Sequence, residues 1–463
     1  MHAVAYSCRF ALGVFLWGVF SVCGSTHAGF WITAYYPGYR QSYLAASNID
    51  FTVVTHVIHF SVMPNPDGTL DPALNAIIPA RTADLVARAH AAGRAALICV
   101  GGAGSQPGFQ AATSSLNRPV FISNILGFMS AYGYDGVDID WEPLPASDFN
   151  QFTNFVKALR SALNESSSKL LTVAAPAYPV PGDPPAAEFA MFAALQGQLD
   201  QINIMTYDLS GAYQGWVTWF NAPIYDGGYR FPSNGRLVPS VNGAVSNFVS
   251  NGVASAKLGL GIPFYGKAWT NGAGTSTSGT LLPRQSWIGA PTVTALTYSQ
   301  IMSNQYQASR YHWDAAAQAA YLSVTSSVPA NDDFLSFDDE YSCRAKVSFA
   351  RNHFLGGLMI WELGQGYFAG APNGQRDPLL QTIKQALATP QLLSVAPTNQ
   401  DIQFTFTTLP LAGYRVLWTS NLEPPAWKTF SNNVPGNGAP LQMLDSGART
   451  AAPQRFYRVQ TPP

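Results

Sequence analysis

Three carboxylates stand at every second position of one short stretch of the chain: Asp138, Asp140 and Glu142. Successive side chains of a β-strand point to opposite faces, so these three would share one face of a strand. Mutual repulsion and burial both raise the pKa of a carboxyl group. We therefore expect Asp138 and Asp140 to share a proton, and Glu142 to stay protonated part of the time near neutral pH, as a general acid requires.

Two other interpretations of the three carboxylates are a calcium-binding loop and a solvated strand face. A calcium loop is rich in oxygen ligands, whereas Val137, Ile139 and Trp141 supply none from their side chains. A solvated strand face is disfavoured as well, because the surrounding pattern predicts a parallel sheet that is buried on both faces. The sequence therefore favours a catalytic role for the three acids.

The chain around this stretch alternates between short apolar runs and longer amphipathic segments, such as 80–92, 118–132 and 146–163. Parallel strands connected by helices produce this alternation, and eight of them favour closure into an α/β fold of the (β/α)8 TIM-barrel type. In such a barrel Glu142 lies at the carboxyl end of its strand, where barrel enzymes carry their active sites. The eight predicted strands are 30–36, 53–62, 95–100, 136–141, 170–175, 201–205, 257–262 and 357–361.

Two segments depart from this alternation. Residues 270–336 are too long for a single loop and predict a small α+β insertion between strands 7 and 8, with aromatic residues at Tyr306, Tyr311 and Trp313. Residues 389–463 alternate at period two between turns, which predicts an all-β, sandwich-like module. The catalytic barrel is accordingly predicted to span residues 29–388.

The first 28 residues have the pattern of a signal peptide, with Arg9 before an apolar stretch and small residues at the end. We therefore expect a secreted protein, extracellular or periplasmic, that has no membrane association after cleavage. Only Cys99 and Cys343 lie beyond this segment, too few for a disulfide framework and without zinc-site spacing. Cys99 lies in an apolar run and is predicted to be buried.

The overall composition excludes some partners. Hydrophobic residues make up 47% of the 463 residues and charged residues only 11%, and 25 Lys and Arg against 26 Asp and Glu leave a net charge of −1. A nucleic-acid partner requires a basic field, so none is expected. The aromatic content of 13% instead indicates a neutral ligand that stacks on rings.

Residues 135–142, Asp-Gly-Val-Asp-Ile-Asp-Trp-Glu, resemble the Asp-Gly-x-Asp-x-Asp-x-Glu signature of family 18 glycoside hydrolases, the chitinases. Further stretches match the family in the right order, and together they cover about residues 30–388. The chain is similar to secreted members of bacterial type. These additional matches are residues 99–102, 205–208, 221–223, 261–266 and 357–363.

The resemblance implies retaining hydrolysis of β-1,4-linked N-acetylglucosamine polymers, in which the substrate's own 2-acetamido group is the nucleophile. It implies Glu142 as general acid and base, Asp140 as the group that orients the acetamido N–H, and Asp138 as support for Asp140. Tyr207 would donate to the acetamido oxygen. Neither a cofactor nor a metal is implied.

The resemblance also implies a set of substrate-binding residues and a partner, a polysaccharide or oligosaccharide that contains N-acetylglucosamine. We expect a monomer. Ala103 departs from the family, because many chitinases carry a tryptophan there that stacks on the leaving-group side. Trp216, Trp219 and Tyr178 are consistent with either packing or sugar contact. The implied substrate-binding residues are Asp208, Trp361, Tyr35, Tyr265, Tyr213, Met205, Gly101 and Gly102.

Two alternatives remain open within the same resemblance. One is a different polymer, cleaved by an endo-β-N-acetylglucosaminidase or by a hydrolase that acts on peptidoglycan. The other is a lectin that binds chitin without cutting it. Such lectins typically replace the acid, whereas Glu142, Asp140 and Tyr207 are all present here.

Overall fold

The computed structural model describes residues 6–7, 29–166, 169–177, 186–408, 413–436, 440–451 and 454–460. Apart from residues 6–7, the predicted signal segment lies outside the described residues, and so does Tyr178. Trp31–Ile383 form one compact unit, and the chain from Lys384 belongs to a second. In the described parts of the chain, no helix combines the length and the apolar character needed to span a bilayer.

The first unit contains a closed parallel barrel. Each strand pairs with its neighbours in the order β1-β8-β7-β6-β5-β4-β3-β2, and pairing of β1 with β2 closes the ring. A short strand, Leu70–Asp71, pairs antiparallel with the carboxyl end of β2. The predicted α/β barrel is thereby confirmed. The strands are β1 (Trp31–Pro37), β2 (His56–Pro64), β3 (Ala95–Gly102), β4 (Gly136–Trp141), β5 (Leu170–Pro176), β6 (Gln201–Met205), β7 (Leu258–Pro263) and β8 (Gly357–Trp361).

Helices follow the strands and cover the outside of the barrel. Several begin at sequence signals for helix starts: α1 at a proline, α6 at the Ser240 cap and α8 at the Asp339 cap. The helices are α1 (Pro79–Ala91), α2 (Gln106–Ala112), α3 (Arg118–Tyr132), α4 (Phe149–Ser166), α5 (Ala186–Leu195), α6 (Val241–Ser250), α7 (Tyr298–Asn304), α8 (Glu340–Asn352) and α9 (Pro378–Ala388).

The predicted strands agree with the observed ones to within a few residues, with one larger difference at β2. The prediction began this strand at Val53, but the backbone N–H groups of Val53 and Val54 both donate to the carbonyl of Asp50. These amides close a turn and cannot join the ladder, so β2 begins at His56.

The insertion between β7 and β8 is a five-stranded antiparallel sheet with α7 beside it. A capping box of Thr297 and Gln300 starts the helix. Trp216 and Trp219 pack in the apolar core against this sheet and are 3% and 0% exposed, so packing accounts for both. In sheet order the strands are Thr292–Thr297, Tyr265–Thr270, Asp333–Phe337, Ala319–Val324 and Tyr311–Asp314.

Among its described residues, the second unit is all-β apart from the end of α9 and one short helix, Ala448–Ala451. Its two antiparallel sheets enclose a core that includes Phe404, Tyr414 and Tyr457. Trp418 is partly buried, with the guanidinium of Arg455 4.0 Å from its ring centroid. The strands are Leu392–Thr398, Asp401–Phe406, Gly413–Thr419, Lys428–Pro435, Leu441–Asp445 and Phe456–Gln460, and Tyr6–Ser7 pairs with the last of them.

Candidate active site

The alternation along β4 points its acids into the barrel, as the sequence predicts. Asp138 and Asp140 are buried in the interior. Trp141 points the other way, and its ring stacks on Phe109 of α2 with centroids 4.7 Å apart. The apolar face of the strand therefore packs on the helices and leaves the carboxylates inside.

Asp138 is surrounded by donors from the neighbouring strands. The hydroxyl of Tyr35 donates to its Oδ2 at 2.8 Å, and that of Thr172 donates to its Oδ1 at 2.6 Å. The thiol of Cys99, which is buried as predicted, is hydrogen-bonded to the same carboxyl. Burial nevertheless raises the pKa of Asp138, and the three donors counteract that rise.

Asp140 has a different environment, although it stands only two residues along the strand. Its Oδ1 is buried, and no donor reaches it among the described residues. Burial raises the pKa of Asp140 well above its ordinary value, and the charges of Glu142 and Asp138 raise it further. A carboxyl with a raised pKa and an unoccupied oxygen is suited to hold a proton or to accept one from a ligand. The proton shared between Asp138 and Asp140 stays a prediction.

Glu142 lies at the carboxyl end of β4 and is partly buried. Ser105 holds its backbone: the hydroxyl accepts from the Glu142 N–H at 3.1 Å and donates to the Asp140 carbonyl at 3.1 Å. Burial raises the pKa of Glu142, and the negative charge of Asp208 raises it further. These shifts extend the pH range in which Glu142 carries the proton that a general acid must deliver.

Gly101 and Gly102, predicted to bind substrate, have a packing reason to be glycine. Both have positive φ, and a Cβ on Gly101 would lie 2.0 Å from the carbonyl oxygen of Asp140. A Cβ on Gly102 would lie 2.6 Å from the ring of Phe60. Close approach of β3 to β4 therefore requires glycine at 101, and the packing of Phe60 from β2 requires it at 102.

Tyr207 follows β6 and faces the acids from across the barrel. It is buried, and the charge of Asp140 is the strongest electrostatic influence raising the pKa of its hydroxyl after burial itself. The hydroxyl lies 3.7 Å from the sulfur of Met359. Met205 is partly buried against the same cluster, so its side chain packs beside the site.

Asp208 is held by three groups at the edge of the site. The hydroxyl of Tyr265 donates to its Oδ1 at 2.6 Å, and Nζ of Lys267 lies 2.9 Å from the same oxygen. The Asp208 N–H donates to the amide oxygen of Asn221. Asp208 has a φ of 56° and a half-exposed carboxylate, whose negative charge raises the pKa of Glu142.

Trp361 at the end of β8 is partly exposed, and its ring meets Tyr35 and Phe60 edge to face, with centroids 5.2 and 4.8 Å away. Its position allows it to form the floor of a site above the acids. Tyr213 is 53% exposed on the loop after β6. Ala103 is also exposed, immediately beyond β3.

Two of the predicted sugar contacts, Tyr35 and Tyr265, hold acids of the site. The Tyr35 side chain is 1% exposed, and its hydroxyl donates to Asp138. Tyr265 is buried and committed to Asp208 in the same way. Both tyrosines therefore orient carboxylates, and their contact with substrate stays a prediction.

Sequence reasoning missed Lys267, Thr172 and Ser105. Lys267 stands two residues after Tyr265 on one strand, so period-two alternation alone could have placed both side chains on one face. Thr172 and Ser105 carry no comparable signal, because their partners come from other strands of the barrel. The assembled site combines an acid with a raised pKa, a buried carboxylate oxygen that has no donor among the described residues, and a buried phenol. It contains the elements of acid-catalysed bond cleavage with stabilisation of positive charge.

The sequence and the fold of this chain are similar to those of known proteins. The model of the glycosyl hydrolases family 18 matches residues 32–366. Chitinase 1 of Aphanocladium album is 31% identical over 296 residues, which are 60% of this chain and 62% of that protein. Chitinase A1 of Niallia circulans is 29% identical over 349 residues, 70% of this chain and 46% of that protein. The chain thus spans between about half and just under two thirds of the length of these relatives.

Solved structures show the same architecture. The Group IV chitinase of Ostrinia furnacalis in complex with allosamidin superposes with a TM-score of 0.65 at 25% identity, over 78% of this chain and 99% of the other. An N-acetylglucosaminidase from Paenibacillus barengoltzii superposes with a TM-score of 0.62 at 22% identity, which supports the fold alone.

Proposed function

Because the chain belongs to family 18 of the glycosyl hydrolases, we propose that it is a retaining glycoside hydrolase that cleaves β-1,4-linked N-acetylglucosamine polymers such as chitin. The observation that carries the proposal is the pair of neighbouring acids Asp140 and Glu142, which lie at the carboxyl end of β4 and both have a raised pKa. Binding alone would not require a carboxyl group poised to donate a proton.

In the proposed reaction Glu142 donates its proton to the glycosidic oxygen as the bond from that oxygen to the anomeric carbon breaks. The acetamido carbonyl oxygen of the substrate forms a bond to the same carbon, which gives an oxazolinium ion and retains the configuration after a second displacement. A water molecule then attacks the anomeric carbon as the bond from that carbon to the acetamido oxygen breaks, which restores the acetamido group, and a proton of the water passes to the Glu142 carboxylate.

Asp140 and Tyr207 stabilise the intermediate in this scheme. The Oδ1 of Asp140 that lacks a donor among the described residues accepts the acetamido N–H and supports the positive charge of the ring. The buried hydroxyl of Tyr207 donates to the acetamido oxygen. Asp138, with its three donors, keeps Asp140 in place.

The sugar at the cleavage point would rest on Trp361 and hydrogen-bond to Asp208. Tyr265 and Lys267 orient the Asp208 carboxylate, and Lys267 also balances its charge. The exposed Ala103 offers no ring for stacking on the leaving-group side, so affinity there depends on other contacts. We further propose that the protein is secreted, on the strength of the pattern in residues 1–28.

The test is a product analysis with chitin, an N-glycan and peptidoglycan side by side, using the wild type and Glu142→Gln. We expect oligosaccharide release from chitin, and a loss of roughly 10²- to 10⁴-fold in kcat in the variant with binding of chitotetraose retained. Glu165→Gln, the same change on the exposed face of α4, serves as control and should be unaffected. Equal turnover by Glu142→Gln would refute the role of this acid. Binding without turnover by the wild type would identify a lectin, and release only from one of the other two polymers would change the substrate.

A further inference from the structure

A group of aromatic side chains lies on the outer edge of the inserted sheet, apart from the site described above. It consists of Tyr306, Tyr311 and Trp313 from the edge-strand region and Tyr341 from the first turn of α8. We call this group the edge patch. Tyr311 and Trp313 stand two residues apart on the edge strand, so their side chains share one face of it.

Ring contacts and one hydrogen bond connect the members of the edge patch. The rings of Tyr306 and Tyr311 have centroids 6.2 Å apart, and Trp313 meets Tyr341 edge to face at 4.4 Å. The hydroxyl of Tyr311 donates to Asp339, the residue that caps α8 just before Tyr341. The contacts fix the orientation of the rings in the absence of any ligand, so little conformational freedom would be lost on binding.

Burial in the core does not explain these rings. Tyr341 is 52% exposed and Tyr306 is 40% exposed, and Trp313 is only partly buried. The insertion has its own core around Trp219 and Trp269, both fully buried. The sheet would therefore keep its core without the edge patch, and an exposed cluster of aromatic residues is a common mark of an interaction surface.

The edge patch is separate from the acids. Tyr265 and Lys267, which hold Asp208, lie on the second strand of the inserted sheet, and the edge strand is three strands farther along. At about 4.8 Å between adjacent strands, this places the edge strand about 14 Å from the strand of Lys267. A sugar bound in the cleft would not contact it.

The chemistry of the edge patch fits one class of occupant. Exposed aromatic rings pack on the apolar faces of sugar rings, and the hydroxyls of Tyr306 and Tyr341 offer hydrogen bonds to the sugar hydroxyls and acetamido groups. Charges of both signs lie nearby: Arg344 lies over the Tyr341 ring, and Asp339 and Glu340 lie near Tyr311. A neutral polymer suits such a surface better than a polyanion does.

We propose that the edge patch is a second binding site for the β-linked N-acetylglucosamine polymer, which holds the enzyme on insoluble chains while the cleft cuts them. This inference rests on the proposed function. It predicts that loss of the rings weakens both the binding and the hydrolysis of the insoluble polymer. Turnover of short soluble substrates should not change, because these occupy the cleft alone.

The test compares the full chain with the double variant Tyr306→Ser/Tyr341→Ser. Binding is measured as the fraction retained on insoluble chitin in a Glu142→Gln background, so that the polymer is not consumed. We expect the double variant to lose roughly three- to tenfold in partition constant. Hydrolysis of insoluble chitin should fall as well, and chitotetraose turnover should stay at the wild-type level, which also shows that the variant folds.

Two matched variants complete the design. Tyr306→Phe/Tyr341→Phe keeps the rings and should retain most of the binding. Phe354→Ser removes an equally exposed ring at the amino end of β8 and should have no effect. If the double serine variant binds insoluble chitin as well as the wild type does, the inference is overturned. It is also overturned if sedimentation shows that the serine changes dissociate a dimer, since the edge patch would then be a contact between two copies. Failure of the wild type on chitotetraose would instead overturn the proposed function.

Discussion

The hydroxyl of Tyr35 donates a 2.8 Å hydrogen bond to Oδ2 of Asp138, although 103 residues separate the two along the chain. The first strand thereby orients the innermost acid of the fourth. Both side chains are buried, so the bond is made in an environment where water cannot replace it. Tyr35 thus supports the carboxylate that precedes Asp140 on the inward face of β4.

Tyr35→Phe should therefore reduce stability. The change leaves a buried carboxylate oxygen without its donor, which costs about 1–3 kcal/mol in unfolding free energy. It should also raise the pKa of Asp138 further, because the lost bond favours the charged form. Urea denaturation measures the first effect. Tyr36→Phe, on the opposite face of β1, is the control: it removes a buried bond to the neutral carbonyl of Leu44 and should cost less unfolding free energy, because an unpaired charged group is more costly to bury. A Tyr35→Phe protein with wild-type stability would contradict the role of this bond.

Asp140→Asn should lower kcat by roughly 10²- to 10³-fold, since the amide cannot stabilise positive charge as the carboxylate does. Substrate affinity should change far less, because the effect is exerted in the transition state. Steady-state kinetics on chitotetraose separates the two parameters. An increase in KM alone would show that Asp140 only binds substrate and takes no part in the chemical step.

Asp208→Asn should move the alkaline limb of the pH–rate profile. The negative charge of Asp208 raises the pKa of Glu142, so its removal lowers that pKa. Glu142 then loses its proton at a lower pH, and kcat/KM declines earlier as the pH rises. Asp84→Asn, at an exposed position on α1, leaves the profile unchanged if the effect is local. A shift of the limb toward higher pH would exclude this electrostatic link.

Glu188 on α5 makes a pH-dependent contribution to stability. Its side chain is buried, neither oxygen has a donor among the described residues, and burial raises its pKa to about 8. Because its pKa is higher in the folded than in the unfolded state, Glu188 does not reduce the unfolding free energy below about pH 4.5. As the pH rises from there toward 8, the unfolding free energy falls by up to about 1.4 kcal/mol per pH unit.

Glu188→Gln removes this titration. Compared with the wild type, the variant should gain unfolding free energy progressively between pH 5 and about 8, as measured by denaturant unfolding at each pH. The comparison cancels the contribution of Glu362, whose pKa burial raises to about 7 in both proteins. Parallel stability curves for the two proteins would show that Glu188 does not titrate in this range.

Local periodicity was enough to predict the barrel and the acids. Apolar runs of strand length, separated by amphipathic helices, predicted all eight barrel strands, and a period of two placed Asp138, Asp140 and Glu142 on one face. These features depend on neighbours within a few residues, so the sequence carries them directly. The start of β2 was predicted too early, at Val53, because the apolar run begins there. The N–H groups of Val53 and Val54 donate to the Asp50 carbonyl in a turn, so they are not available for strand pairing.

The partners of those acids were decided only by the tertiary structure. Strand register places Asp138 opposite Cys99 on one side and Thr172 on the other, and barrel closure brings Tyr35 to it from β1. The burial of Trp216 and Trp219 and the exposure of Tyr341 likewise depend on how the inserted sheet packs. The sequence by itself determined which groups could do the chemistry. Their pKa values and hydrogen bonds follow from contacts between residues that lie far apart along the chain, which only the folded barrel brings together.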